Sequence, residues 1–419
     1  MRRAGEVKVE PYDPSEIQPP EERERALMKA LPGEVTYAFA QAPAYRRLNP
    51  GVVPEEVADR RALARLKLVR KSDLAAMQRE DRPFGGLATI PPGQAARLFA
   101  SPGNVFEFEP RRADPWRAAR ALHAAGFRAG DIVHNSFSYH LTPAASMVET
   151  AAHALGCAVI PAGTAPTEAQ VAAAVHFRAT AYGGTPSFLR VLLDRSVELG
   201  MDLSSLTRAS VTAEALPASL RAALAERGVK TLQWYGTADA GLIAYETPAM
   251  EGLIVAEEVI LEIVRPGTGD PLPDGEVGEV VVTILSAEYP LLRFATGDLS
   301  AVLPGRSPCG RTNVRIRGWL GRADQSTKVR GVFVHPSHVA EVMRRHPGIR
   351  RARVVVTRSA DLDVMTLRAE VEPQDRPGLA QALAGTVKEV TQVRAEVELV
   401  DPGALPNDGK VIEDTRPVG

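Results

Sequence analysis

Hydrophobic and polar positions follow three successive patterns along this chain, and each predicts different elements. The first hundred residues are charged and punctuated by proline, with helical stretches at Glu21 to Ala30 and Pro54 to Leu66. From Asp114 the pattern becomes regular. Asp131 to Asn135, Cys157 to Ile160, Arg208 to Glu214 and Lys230 to Gly236 are apolar runs of strand length. Between them lie stretches of helical period with recognisable ends. Asp114 can cap a helix with Pro115 at its first position and Gly126 past its end. Thr167-x-x-Gln170 has capping-box spacing and opens a helix towards His176. Thr185 and Pro186 start the next, which Gly200 stops, and Pro217 to Gly228 forms another.

Strands alternating with helices of this length need crossover connections, so the region predicts a doubly wound, mostly parallel α/β sheet with ligands beyond the carboxyl ends of its strands. After Gly252 the period changes. Val255 to Val264 and Gly278 to Leu285 are β-branched runs joined by PGTGDPLPDGE, which favours an antiparallel β subdomain. Beyond Gly321 come a helix near Ser337 to Arg345, strands Ala352 to Thr357 and Met365 to Val371, a helix near Gly378 to Val390 and a strand Arg394 to Leu399. The expected division is a large domain over 1–320, with a helical start at 1–100, parallel α/β at 101–250 and a β-rich part at 251–320, followed by a small mobile α/β domain over 321–419.

Composition narrows the function classes. In 419 residues, 50 basic side chains face 51 acidic ones, so no bulk charge attracts a nucleic acid or an anionic membrane. The apolar region from Ala144 to Ala165 is broken by Glu149, His153, Pro161 and Gly163 and does not suit a bilayer span. MRRAGEVKVEPYDP lacks the apolar run of a secretory signal, and the expectation is a cytoplasmic protein. Cys157 and Cys309 have no metal-ligand spacing around them and read as a core thiol and a loop thiol.

Five strings, in order, carry chemistry: YGTADAG at Tyr235 to Gly241, GEVVVT at Gly278 to Thr283, RFATGDL at Arg293 to Leu299, GRADQSTKVRG at Gly321 to Gly331, and the terminal NDGKVIEDTR. Together they resemble the motif series of the phenylacetate-CoA ligase branch of the adenylate-forming enzymes, over most of the chain from about residue 60. The resemblance implies activation of an aromatic or small carboxylic acid by ATP and Mg²⁺ through an acyl-adenylate, then transfer to coenzyme A. The residue types suit that chemistry, in which a carboxylate must meet a phosphate, and like charges at ~4 Å repel by about 4 kcal/mol at an effective dielectric of 20. Cations and oriented N–H groups have to offset this.

By the resemblance, Asp239 is the Mg²⁺ ligand, one methylene shorter than the family's glutamate; the other reading is a cap on a helix following the strand. Asp298 is implied to accept hydrogen bonds from the ribose hydroxyls, against a turn-ordering aspartate, and Arg322 to contact ribose and phosphate. Tyr235, Gly236, Thr237, Ala213 and Glu214 fall in the family's nucleotide-binding loops, with Ala213 where glycine is common. Asp324 falls at the hinge about which the small domain turns, Gly331 leaves room for pantetheine, and Lys410 is the catalytic lysine aimed at the α-phosphate. Tyr139, His140, Thr185 and Pro186 are the implied acyl-pocket residues. The expected partners are therefore a small carboxylic acid and coenzyme A, with a homodimer as the compatible assembly and neither nucleic acid nor membrane.

One segment departs from the family. Where a Ser/Thr/Gly-rich loop ending in Gly-Lys grips the triphosphate, this chain has FASPGNVFEFEP, keeping Ser101 and Gly103 but adding Glu107 and Glu109 and no lysine. Carboxylates repel a triphosphate unless a metal lies between them. Two alternatives stay open: adenylation with transfer to an amine or a carrier protein, and a carboxylate-binding homologue without catalysis.

Overall fold

The computed structural model describes residues 10–101, 105–266, 268–323, 327–330, 332–334, 336–359, 362–406 and 410–416. Packing divides the chain into two units: residues 1–262, 281–296 and 301–319 form the first, and residues 263–280, 297–300 and 320–419 the second.

In the first unit a nine-stranded sheet has a parallel and an antiparallel half. The parallel half runs in the order Ala158–Pro161, Ile132–Asn135, Ala181–Gly184, Arg208–Val211, Lys230–Thr237. Because the strand Ile132–Asn135 sends its continuation to one side and receives Ala181–Gly184 on the other, a switch point opens between these two strands. Helices Ala119–Ala124 and Ala144–Ala154 pack together, while Thr167–His176, Pro186–Glu198 and Ala218–Glu226 form a second packed group. Val171, Tyr182, Leu189, Leu192, Val211 and Leu224 make a continuous core beneath the second group. The sheet then turns antiparallel through Gly241–Tyr245, Leu253–Val255, Arg315–Ile316 and Val302–Leu303.

A separate four-stranded sheet sets Val259–Val264, Gly278–Ile284 and Leu291–Ser300 side by side, ending on the short strand Val69–Arg70. In the first unit this edge strand is parallel to its neighbour, with Val69 opposite Phe294 and Arg70 opposite Ala295.

Several predicted helix starts differ from the structure. The first helix runs Pro20–Gln41, well past Ala30. Pro54 to Leu66 is only two short pieces, Pro54–Glu56 and Arg60–Leu63, the second begun by Asp59 accepting from the Ala62 amide. Asp114 does cap, its carboxylate accepting from Ala118 and Ala119, but the helix begins at Ala119 and not at Pro115. The helix Thr167–His176 carries no side-chain cap; Gln170 is buried and bonded to His134 instead. Thr185 caps Pro186–Glu198 as expected.

The N-terminal segment is tied down by a buried charge network. Glu16 is fully buried and accepts from Arg311, Arg120 and Tyr245. Such a carboxylate is tolerable only because every approach to it carries a donor.

The second unit contains a hairpin of Ile349–Ser359 and Leu362–Val371, flanked in parallel by Ile412–Asp414 and Glu396–Val400. Helices Pro336–Arg345 and Leu379–Thr391 pack on each other, over a core that includes Val354, Val356, Leu367, Leu383 and Val387. Among the described residues no helix is long and apolar enough to cross a membrane.

Candidate active site

The first group of site residues stands at the carboxyl ends of the parallel strands. Ser136 and Tyr182 share a hydrogen bond of 2.7 Å, and the Tyr182 hydroxyl also reaches the Thr185 carbonyl at 3.0 Å, so the loops after the two switch-point strands are fastened together. A Cβ on Gly184 would fall 2.1 Å from Ser136 Oγ, so only glycine fits there. Thr185 and Pro186 begin a helix beside this crevice. The Tyr139 hydroxyl accepts from Asn135, at the end of one of those strands, at 2.9 Å and donates to Glu149 at 2.7 Å. His140 is exposed, with its backbone amide bonded to Ser138.

Ala213 and Glu214 are exposed in the loop after Arg208–Val211, which is held by Thr212 donating to the Trp234 carbonyl at 2.7 Å. Ala213 has a φ of +71°, the region where a Cβ is costly. Ala213→Gly is expected to raise unfolding free energy by about 0.5 to 1 kcal/mol, the relieved strain exceeding the added freedom of the unfolded chain. Urea denaturation checks this; a less stable variant would mean that the alanine side chain makes a compensating contact.

Next, the strand Lys230–Thr237 turns back into Gly241–Tyr245, so no helix follows it and the helix-cap reading of Asp239 is overturned. Gly236 permits the turn, since a Cβ there would meet the Gly241 carbonyl at 2.4 Å. Thr237 accepts from the Ala240 amide at 3.0 Å, and the buried Arg117 guanidinium donates to the carbonyls of Ala240 and Leu242. Tyr235 donates to Thr296 at 3.1 Å. Asp239 is thereby presented with its side chain fully buried, one oxygen accepting from Lys71 Nζ at 2.9 Å.

Around Asp239 polar atoms lack partners. Among the described residues, Asp239 Oδ1, both carboxylate oxygens of Glu107 and the Tyr289 hydroxyl are buried without a hydrogen bond of ordinary geometry. Burial, with the Asp239 charge adding to it, pushes the Glu107 carboxyl up to about 7, although the Ser101 hydroxyl and the Lys71 ammonium pull the other way. Burial and the same two carboxylates hold the Tyr289 phenol well above its ordinary value. Unsatisfied buried oxygens are costly, and hard oxygen donors are what Mg²⁺ takes, so Asp239 with Glu107 fits that ion. Ser101 ends the strand Arg97–Ser101, and Gly103 lies outside the described residues.

The second group of site residues lies within the other unit. Asp298 is part of the strand Leu291–Ser300, not of a tight turn. It forms a β-bridge with Arg322, whose guanidinium donates to Asp298 Oδ1 at 3.2 Å. Gly297, with a φ of +78°, leaves room for that guanidinium: a Cβ would sit 2.9 Å from it. Arg322, Thr327, Lys410 and Asp414 line one cleft of about 330 Å³. Lys410 is exposed, just before the strand Ile412–Asp414. Asp414 is clasped by Arg416 and by the Thr327 hydroxyl, and the Arg416 bonds hold its carboxyl down at about 2. Asp324 and Gly331 lie outside the described residues.

Sequence reasoning missed Lys71 and Tyr289. Neither lies in a motif, and Lys71 becomes a site residue only through the pairing of Val69–Arg70 with a strand more than two hundred residues away.

Residues 116–284 match the model of the AMP-binding enzymes and residues 331–415 that of the AMP-binding enzyme C-terminal domain. The phenylacetate-coenzyme A ligase of Thermus thermophilus is 32% identical, over 94% of this chain and 96% of its own. That of Aromatoleum evansii is 30% identical, over 98% and 99%. A crystal structure of 2-hydroxyisobutyryl-CoA ligase with 2-HIB-AMP and CoA shares the fold at a TM-score of 0.71 and 24% identity, covering 99% of this chain and 95% of that one. With a similarity that runs nearly end to end and takes in both AMP-binding regions in order, the chain belongs to the phenylacetate-CoA ligase-like branch of the AMP-binding, adenylate-forming enzymes.

Proposed function

We propose that this enzyme activates an aromatic or small organic acid with ATP and transfers the acyl group from its adenylate to coenzyme A. The observation that carries the reading is the placement of Arg322, which binds Asp298 on one side and shares a cleft with Lys410 on the other. Three residues spread over more than a hundred positions thus gather about Arg322, Asp298 bonded to its guanidinium and Lys410 lining the same cleft, and their chemistry suits a nucleotide. Asp298 offers two acceptor oxygens to neighbouring ribose hydroxyls, Arg322 adds fixed donors, and Lys410 brings a mobile point charge for the α-phosphate.

Asp239 and Glu107 would hold Mg²⁺, which when bound neutralises phosphate oxygens during adenylation. Thr185 and Pro186, at the switch-point crevice, with Tyr139 and His140 on the facing loop, would shape the acyl pocket. Asp324 would serve as hinge, and Gly331 would leave room for pantetheine. The competing reading, a carboxylate-binding homologue without catalysis, has one observation in its favour: a buried glutamate beside Asp239 where the family's loop grips phosphate.

A panel of carboxylic acids assayed for ATP-dependent pyrophosphate release separates these readings. Release with at least one acid, followed by thioester formation on adding coenzyme A, is expected. A hydroxamate formed with hydroxylamine, with coenzyme A changing nothing, would instead mean an amine or carrier-protein acceptor, and no release with any acid would support the non-catalytic reading. Within the same assay series, Asp298→Ala is expected to weaken ATP binding by about 1.5 to 3 kcal/mol while the protein stays folded, because charge-assisted hydrogen bonds are lost. Unchanged ATP affinity would remove Asp298 from the site.

A further inference from the structure

We propose that Lys71 supplies the phosphate-side positive charge that the segment from Phe99 to Pro110 lacks, binding the β- and γ-phosphates of ATP from a different element of the fold. The proposal rests on the ligase reading above and adds to it a residue that none of the motifs contains.

The need for such a charge is visible in the segment itself. FASPGNVFEFEP has no lysine or arginine and two glutamates. Glu109 is neutralised by Arg97 at 2.5 Å and accepts from the Trp116 indole at 3.2 Å. Glu107 is only 4% exposed, and what eases its charge is the Ser101 hydroxyl and amide and the Lys71 ammonium. With the Asp239 carboxylate beside it, the phosphate side of the site opposes a triphosphate unless cations stand there.

Lys71 is placed to be one of them. The parallel register puts Val69 opposite Phe294 and Arg70 opposite Ala295. The strand ends there, and Lys71 follows it directly as the first residue of a short 3-10 turn, Lys71–Asp73, next to the strand whose Thr296 hydroxyl holds Tyr235. Lys71 thus stands near the YGTADAG turn, which it reaches through Asp239, and near the first-unit part of the neighbouring strand, which ends at Thr296. Its side chain is 30% exposed while that of Asp239 is wholly buried, so Lys71 reaches the buried carboxylate and still meets solvent. An ammonium carries three donors and has no fixed plane, so it can keep Asp239 and still turn a proton to a phosphate oxygen. Asp239 Oδ1 and the Tyr289 hydroxyl are buried there without a hydrogen-bond partner among the described residues, and Glu107 lies near enough to feel the charges of both Asp239 and Lys71.

The test compares ATP with AMP, which lacks the two phosphates in question. In calorimetric titrations with Mg²⁺ present, Lys71→Gln, which can still donate to Asp239, is expected to bind ATP about 10- to 100-fold more weakly, the loss of one charge-assisted contact. AMP affinity should stay within about twofold, and Lys71→Arg should recover most of the ATP affinity. Equal loss for both nucleotides would mean that Lys71 only supports the Asp239 turn, and no loss for either would place the phosphates elsewhere; both results overturn the proposal. Should Lys71→Gln fail to fold, Asp239→Asn compared with Lys71→Gln/Asp239→Asn asks the same question without a buried unpaired charge: the ATP-to-AMP affinity ratio must drop at least about tenfold further in the double variant, or the proposal is wrong. A parent protein that binds AMP and acid but not ATP would sink the ligase reading itself, a failure distinct from any outcome in the variants.

Discussion

Lys410→Ala is expected to slow acyl-adenylate formation from ATP and free acid by about 10² to 10³, while leaving the conversion of a supplied acyl-adenylate and coenzyme A to thioester near the parental rate. Negative charge builds on the α-phosphate as pyrophosphate leaves, and an ammonium aimed there acts most strongly in that transition state. The second unit presents Lys410 for such a role: it is exposed, it precedes the strand Ile412–Asp414, and the clasp of Asp414 by Thr327 and Arg416 fixes that strand below it. Thioester formation involves no leaving pyrophosphate, so it does not need this charge. The two half-reactions, assayed separately as pyrophosphate release and thioester absorbance, decide the matter. Equal loss in both would make Lys410 structural or exclude a mechanism in two domain arrangements. Full activity in both would mean that another cation, such as Arg322 in the same cleft, carries the charge.

The parallel half of the large sheet was legible because its strands are short apolar runs separated by helical period, and both signals are local. Thr185 shows local chemistry at its most reliable, with a hydroxyl three residues from the amide it caps. Where prediction failed, a longer-range partner had won. Gln170 has the spacing to complete a capping box, but its buried amide serves His134 and the carbonyls of Gly163 and Ala165 instead. Asp114 takes a φ of +42° and caps from four and five residues away, which moves the helix start beyond Pro115. The helix-cap reading of Asp239 failed for a related reason: Gly241, at a φ of +66°, lets the chain fold back as a strand, stabilised by an arginine more than a hundred residues distant. Motif order pointed to Asp239, Asp298, Arg322 and Lys410. It did not point to Lys71 or Tyr289, whose significance lies in which strands pair and which hydroxyls are buried.

Glu107 provides a readout of the phosphate side that needs no substrate. Its carboxyl sits at about 7 in the folded protein, raised by burial first and by Asp239 second, against about 4.5 for a free glutamate. Ionising it in the folded state therefore costs about 3 kcal/mol more than in the unfolded chain, an upper figure because Lys71 and Ser101 can adjust around the new charge. Between pH 4.5 and 7 the folded protein holds a proton that the unfolded chain has released, so this group's contribution to stability falls as pH rises through that window. Below the window the carboxyl is neutral in both states, and above it the cost is complete. Measured without nucleotide or Mg²⁺, Glu107→Gln should consequently gain on the parent by up to about 3 kcal/mol between roughly pH 4.5 and 7.5, whatever the offset between the two proteins at low pH. The groups facing Glu107, namely Asp239, Lys71, Ser101 and Tyr289, are retained in the variant, so the difference between the two curves isolates one carboxyl. Guanidinium denaturation at a series of pH values gives those curves directly. Parallel curves would show that Glu107 ionises in the folded protein as easily as in water, and the segment from Phe99 to Pro110 would then carry its negative charge in solvent and away from Asp239.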